Sequence, residues 1–143
     1  GDLILPNGAG ITRTLKLALE EAAIGPGAVD FISAHATATK MGDVVEAQAI
    51  GGVYGDGPVV AGLKSYMGHT MGSCGVIEAI LTLYMMQEGF IPRTLNLDRV
   101  DDRCAMIRHA LQFQERPIRI AAVQNFAFGG VNTCFLLKKF DGQ

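Results

Sequence analysis

Near the start of the chain, apolar residues recur at helical spacing. Ile11, Leu15, Ala18, Leu19 and Ala22 share one face, and Gly25-Pro26-Gly27 follows as a helix stop. The next apolar run, VDFISA at 29–34, predicts a strand. Asp43 with Glu46 three residues on predicts a capping box that opens a helix reaching about Tyr54. VVAGL at 59–63 predicts a short buried strand. A long helix is expected from about Ser73 to Glu88, ended by Gly89 with Pro92 beyond it. After an acidic loop around Asp98 to Asp102, IRIAAVQNF at 118–126 and NTCFLLKKF at 132–140 predict two strands joined by AFGGV. The order α-β-α-β-α-β-β implies an α/β fold, with a mostly parallel sheet, packed helices and a terminal antiparallel hairpin. No repeat, linker or low-complexity tract divides residues 1–143, which read as one domain.

Composition changes this picture in one respect. Hydrophobic residues make up 49% of the 143 and charged residues only 18%, which is apolar for a free-standing domain. That balance implies surface buried against a partner or against a missing part of the same protein. A net charge of -2 gives no basic footprint for nucleic acid. The most apolar stretch, VIEAILTLYMM from Val76 to Met86, is too short to span a bilayer and is broken by Glu78, so no membrane is expected. Asp2 and Pro6-Asn7-Gly8 argue against a signal peptide. Three cysteines, odd in number and unclustered, read as reduced thiols in a cytoplasmic protein.

The candidate chemistry lies in the loops. His35 follows one strand, His69 lies after the next, and Phe126 to Gly130 follow a third. Loops leaving the carboxyl ends of parallel strands gather on one edge of a sheet, so the three are expected to share a site. His35, His69 and His109 form no i,i+4 pair and no cysteines stand at ligand spacing, so no metal is expected. Acid, base or hydrogen-bond donor roles fit better. Lys64, after a buried strand, needs a carboxylate, and Glu78 in the next helix is its expected partner. Such a pair is either purely structural or the support of a catalytic histidine. Cys74, at a helix start near His69, reads either as the nucleophile of a cysteine hydrolase or as a small residue packed between glycines. Cys134 belongs to the core. Thr37 and Thr39 are loop hydroxyls, and Phe126 and Phe128 flank Ala127 either as a gate over an apolar tunnel or as a plain hairpin turn.

Four stretches in order, AHATATKMGDVVEAQAI, LKSYMGHTMGSCGVIEAI, IPRTLNLD and NFAFGGVN, resemble the carboxyl-terminal part of beta-ketoacyl-acyl carrier protein synthases, of the thiolase fold. There the motifs read His-Gly-Thr-Ser-Thr, Lys-Ser-x-x-Gly-His and Asn-Ser-Phe-Gly-Phe-Gly-Gly-x-Asn. The resemblance implies a decarboxylating Claisen condensation between an acyl thioester and malonyl-carrier protein. It makes His35 and His69 the catalytic histidines, both donating hydrogen bonds to the malonyl thioester oxygen. Lys64 and Glu78 become the supporting charged pair, and Thr37 and Thr39 the contacts for the phosphopantetheine arm. Phe128 becomes the gating phenylalanine whose N–H serves the oxyanion hole, with Phe126 its neighbour. The implied partner is acyl carrier protein, whose phosphopantetheine carries the substrate; no cofactor is bound by the chain itself.

In this family the nucleophilic cysteine lies in the amino-terminal half, and Cys74, Cys104 and Cys134 do not match it. The chain is therefore expected to be a fragment, inactive alone, of an intact homodimer or heterodimer. The alternative is a non-catalytic, chain-length-determining subunit of the same fold. Ala36 and Ala38 stand where glycine and serine are usual, and Gln124 precedes Asn125 in an altered final motif. Ala127 replaces a glycine and is expected to stiffen the gate loop, because alanine tolerates positive φ poorly.

Overall fold

The computed structural model describes residues 7–140, apart from the side chain of Phe128. Helix α1 (Gly8–Glu21) is capped by Asn7, whose side-chain oxygen accepts from the N–H groups of Ala9 and Gly10. It buries Ile11, Leu15 and Leu19, the face expected from the periodicity. The helix ends before Gly25: the Ile24 N–H bonds the Leu19 carbonyl and the Ala23 N–H the Glu20 carbonyl, with Ala23 at φ 52. This is a Schellman-type stop built on alanine where glycine is usual.

The elements that follow are β1 (Phe31–Ser33), α2 (Gly42–Tyr54), β2 (Val59–Ala61), the single turn α3 (Lys64–Met67) and α4 (Cys74–Glu88). After them come β3 (Phe90–Ile91), β4 (Arg108–His109), β5 (Gln114–Glu115), β6 (Ile120–Phe126) and β7 (Asn132–Lys138). Gly89, at φ 76, ends α4 as expected. The main sheet has the order β4-β2-β1-β6-β7, in which the first four strands run parallel and β7 returns antiparallel to β6. The expected parallel sheet with a terminal hairpin is present. Strand β4 and the small antiparallel pair β3–β5 are additions, each too short to leave an alternation in the sequence.

The central strands are buried on both faces, as strands of a covered parallel sheet must be. Ile32, Val60 and Ala122 join Ile11, Leu15 and Ile50 in a core beneath α1 and α2. Phe31, Val59 and Ala121 join Met85 and Met86 of α4 in a second core on the other face. Helix α4 turns Glu78 and Thr82 inward while Val76 (64% exposed), Ile80 (60%) and Tyr84 (56%) face outward. A helix that is apolar all round is ordinarily covered on every side. Among the described residues no helix is long and apolar enough to cross a membrane.

Candidate active site

Strands β1, β2 and β6 run the same way, so the loops leaving Ser33, Ala61 and Phe126 emerge on one edge of the sheet. The His35 loop is held from below by Glu46, a buried residue of α2. One carboxylate oxygen accepts the His35 N–H at 2.7 Å and the Gln124 amide at 2.7 Å; the other accepts the Ala36 N–H at 2.8 Å. This corrects the expected capping box. Glu46 does not turn back to its own helix end, because tertiary N–H donors need a buried acceptor more. Burial pushes its carboxyl above the usual range, and these three donors work against that rise.

The helix start is tied instead by Asp43, which accepts the Ala38 N–H at 3.1 Å, and by Thr39, whose hydroxyl accepts the Gly42 N–H at 3.1 Å. A Cβ on Gly42 would collide with that hydroxyl oxygen, so a larger residue would have to displace the Thr39 side chain from the turn. Thr37 and Thr39 lie together, their hydroxyls 3.2 Å apart, with Thr39 exposed at the rim of the loop. Ala36 and Ala38 have φ of 36 and 59, so the backbone strain of the altered motifs sits here. Ala127 has φ -113, an ordinary extended value, so no positive φ burdens the alanine there.

The His35 ring connects to a buried charged pair. Its Nδ1 lies 3.1 Å from Oδ1 of Asn125, and the Asn125 amide donates to Glu78 Oε2 at 2.9 Å. The other Glu78 oxygen meets Lys64 Nζ at 2.5 Å, with Glu78 fully buried and Lys64 7% exposed. The expected Lys64–Glu78 pair is thus present, and it reaches His35 through Asn125.

Burial, then the Lys64 charge, holds the His35 imidazole well below its ordinary 6.5, at about 4. Its resonances in a pH titration followed by NMR are therefore expected to stay those of a neutral ring at pH 5.5 and to move near pH 4. An ordinary midpoint near 6.5 would contradict the burial assigned to it. The sign follows from linkage. Between 6.5 and 4 the unfolded chain takes up this proton and the folded one does not, so His35 weakens folding as pH falls through that window.

His69 stands in the loop between α3 and α4, after Gly68 at φ 73. Its ring meets that of His35 edge-on, centroids 5.5 Å apart, and Phe126 flanks His35 at 5.9 Å. The Met71 N–H donates to His69 Nδ1 at 3.1 Å, so the neutral ring carries its hydrogen on Nε2. Cys74 Sγ lies 3.2 Å from the same Nδ1 and accepts from the Thr70 hydroxyl at 3.3 Å. Cys74 is only 2% exposed, which favours its packing reading over that of a nucleophile open to substrate.

Phe128 begins the turn Phe128–Gly130, where Gly129 and Gly130 have φ of 78 and 79. His109 stays out of this group. It lies in edge strand β4, not in a loop, with Nε2 bonded to the Cys104 carbonyl at 2.8 Å. Sequence reasoning brought together His35, His69, Lys64, Glu78 and Phe126 and missed Asn125, Glu46 and the Met71 N–H. Asn125 was visible as a polar residue inside the final motif; the backbone donor left no signal at all.

Residues 2–98 match the beta-ketoacyl synthase, C-terminal domain. The chain belongs to this family. The synthase domain is 32% identical to 3-oxoacyl-[acyl-carrier-protein] synthase 1 of Escherichia coli (strain K12), over 96% of this chain and 34% of that protein. It superposes on the crystal structure of a beta-ketoacyl synthase from Burkholderia phymatum STM815 with a TM-score of 0.93 and 35% identity, over 98% of this chain and 35% of that one. The ishigamide ketosynthase/chain length factor gives a TM-score of 0.91 and 36% identity, over 95% and 34%. The fold is that of the thiolase-like ketosynthases. The domain spans about a third of the length of the curated relatives it matches.

Proposed function

We propose that the protein carrying this domain is a cytoplasmic beta-ketoacyl-acyl carrier protein synthase of fatty acid or polyketide-type synthesis. The observation that carries this reading is the edge-on His35–His69 pair, backed by Asn125, Glu78 and Lys64 at the carboxyl edge of the sheet. In this reading carbon dioxide leaves the malonyl thioester and its C2 becomes a carbanion, stabilised as the enolate. That carbon attacks the acyl carbonyl, a carbon–carbon bond forms, and the acyl-holding thiolate departs. His69, with Nε2–H free of Nδ1's bond to Met71, donates to the oxygen on which enolate charge develops. The Phe128 N–H, in its glycine-rich turn, is assigned to the oxyanion of acyl transfer. Thr37 and Thr39, at the rim, are assigned to the phosphopantetheine arm of acyl carrier protein, the partner that brings the substrate; the domain binds no cofactor of its own.

The nucleophilic cysteine is assigned to an amino-terminal half. That half would cover Val76, Ile80 and Tyr84 on the outer face of α4, where apolar side chains face water in the isolated domain. The intact protein is assigned as a homodimer or heterodimer. Likeness to the ishigamide ketosynthase/chain length factor supports a second reading, a non-catalytic chain-length-determining partner subunit. Retention of both histidines and of Lys64 favours the catalytic one.

The test is incubation with radiolabelled acyl-carrier protein and malonyl-carrier protein. The intact protein is expected to form the ketoacyl product. The domain alone is expected to take up no acyl label and to form no product, because it has the histidines while none of its cysteines matches the acyl-accepting thiol of the family. Stable labelling of Cys74 in the domain, lost in Cys74→Ser, would overturn this assignment in favour of a hydrolase.

A further inference from the structure

We propose that Asn125 is a positioning residue that locks His35 as the Nδ1–H tautomer, so that the two histidines present opposite groups to the substrate. The proposal rests on the reading of His35 and His69 as the reacting pair. It begins at Glu78, which has no exposed surface and is paired with Lys64. An ionised carboxylate only accepts hydrogen bonds, so the Asn125 atom 2.9 Å from Glu78 Oε2 is the NH₂. The amide oxygen is thereby turned to His35 Nδ1, 3.1 Å away. That oxygen carries no hydrogen, so Nδ1 must donate. A neutral imidazole has one N–H only, and His35 Nε2 is left as a bare lone pair.

His69 is fixed the other way round. The Met71 N–H occupies its Nδ1, which puts the hydrogen on Nε2. The rings meet edge-on with centroids 5.5 Å apart, one offering a donor and the other an acceptor. The resemblance implied that both imidazoles donate to the thioester oxygen; in this network only His69 has an N–H to give. His35 instead accepts a hydrogen bond, or a proton, at Nε2. Asn125 is not needed for this purpose by the fold. Its backbone is already paired with Thr133 in the β6–β7 ladder, and the side-chain bonds described for it all go to the site.

The experiment uses the intact protein with ¹⁵N-labelled histidine and long-range ¹H–¹⁵N spectra, which distinguish a protonated from a bare ring nitrogen. His35 is expected to show Nδ1–H with bare Nε2, and His69 the reverse. Asn125→Ser, too short to span from Glu78 to the ring, is expected to give His35 a mixture of tautomers. Malonyl decarboxylation is then expected to fall roughly 10–100-fold in kcat, with KM and acyl transfer little changed. Asn125→Asp, which sets a carboxylate oxygen against Glu78 in place of the amide NH₂, is expected to break the network as well. A wild-type His35 protonated on Nε2, or an Asn125→Ser protein with an unchanged His35 spectrum, would overturn the proposal. The spectra need no turnover, so a protein that fails to condense but shows opposite tautomers would refute the function and leave this inference standing.

Discussion

Lys64→Met is expected to destabilise the intact protein by about 3–5 kcal/mol, because it strands the Glu78 carboxylate without a counter-charge. Glu78 has no exposed surface and Lys64 is 7% exposed, so water cannot replace the lost partner. A surface pair would cost less than about 1 kcal/mol, and the difference decides which description holds. Glu78→Gln is expected to cost a similar amount by stranding the ammonium, while Asn125 keeps an acceptor. The double variant should cost clearly less than the sum of the two, since it leaves no uncompensated charge. Urea denaturation of all four proteins closes the cycle. Additive losses, or a single loss under about 1 kcal/mol, would mean that the pair is not the buried, coupled unit described here. Removing Lys64 should also let the His35 pKa rise, though only part of the way to 6.5, because burial is the larger cause of its depression.

That pair was legible in the sequence because a lysine directly after a buried strand has few outcomes, and Glu78 was a carboxylate in an apolar helix face. Convergence of the loops was legible too, since strand order alone puts His35, His69 and Phe126 on one edge. Glu46 shows where local reading fails. Asp-x-x-Glu before an apolar run fits a helix cap, but Gln124, which bonds its carboxylate, lies 78 residues further on. No spacing rule reaches that far. The end of α1 before Gly25 was legible, but the residue that makes the stop was not: Ala23 takes the left-handed position usually given to glycine. The stiffening expected of Ala127 was argued from positive φ, whereas its backbone is extended. The motifs implied that the two histidines share a site, and their rings do meet. Their hydrogen-bond state depended on Met71 and Asn125, which only the folded chain puts against the rings.

His69→Ala in the intact protein is expected to lower malonyl decarboxylation by about 10²–10³-fold, the usual cost of removing one positioned donor from developing negative charge. Acyl transfer should remain measurable, because in the proposed reading that half-reaction draws on the amino-terminal thiolate and on oxyanion donors such as the Phe128 N–H. The fixed tautomer suits His69 to the proposed decarboxylation role: the Met71 N–H holds Nδ1, which leaves the hydrogen on Nε2. His35→Ala should also depress decarboxylation, since the same edge would lose its second imidazole. His109→Ala supplies the control. Its ring is bonded to the Cys104 carbonyl in edge strand β4 and lies outside the histidine pair, so decarboxylation should change less than about twofold. Rapid-quench measurement of the two half-reactions separates these cases. Equal decarboxylation rates in His69→Ala and His109→Ala would remove the two-histidine site, because a donor that can be deleted without effect is not stabilising the charge that forms.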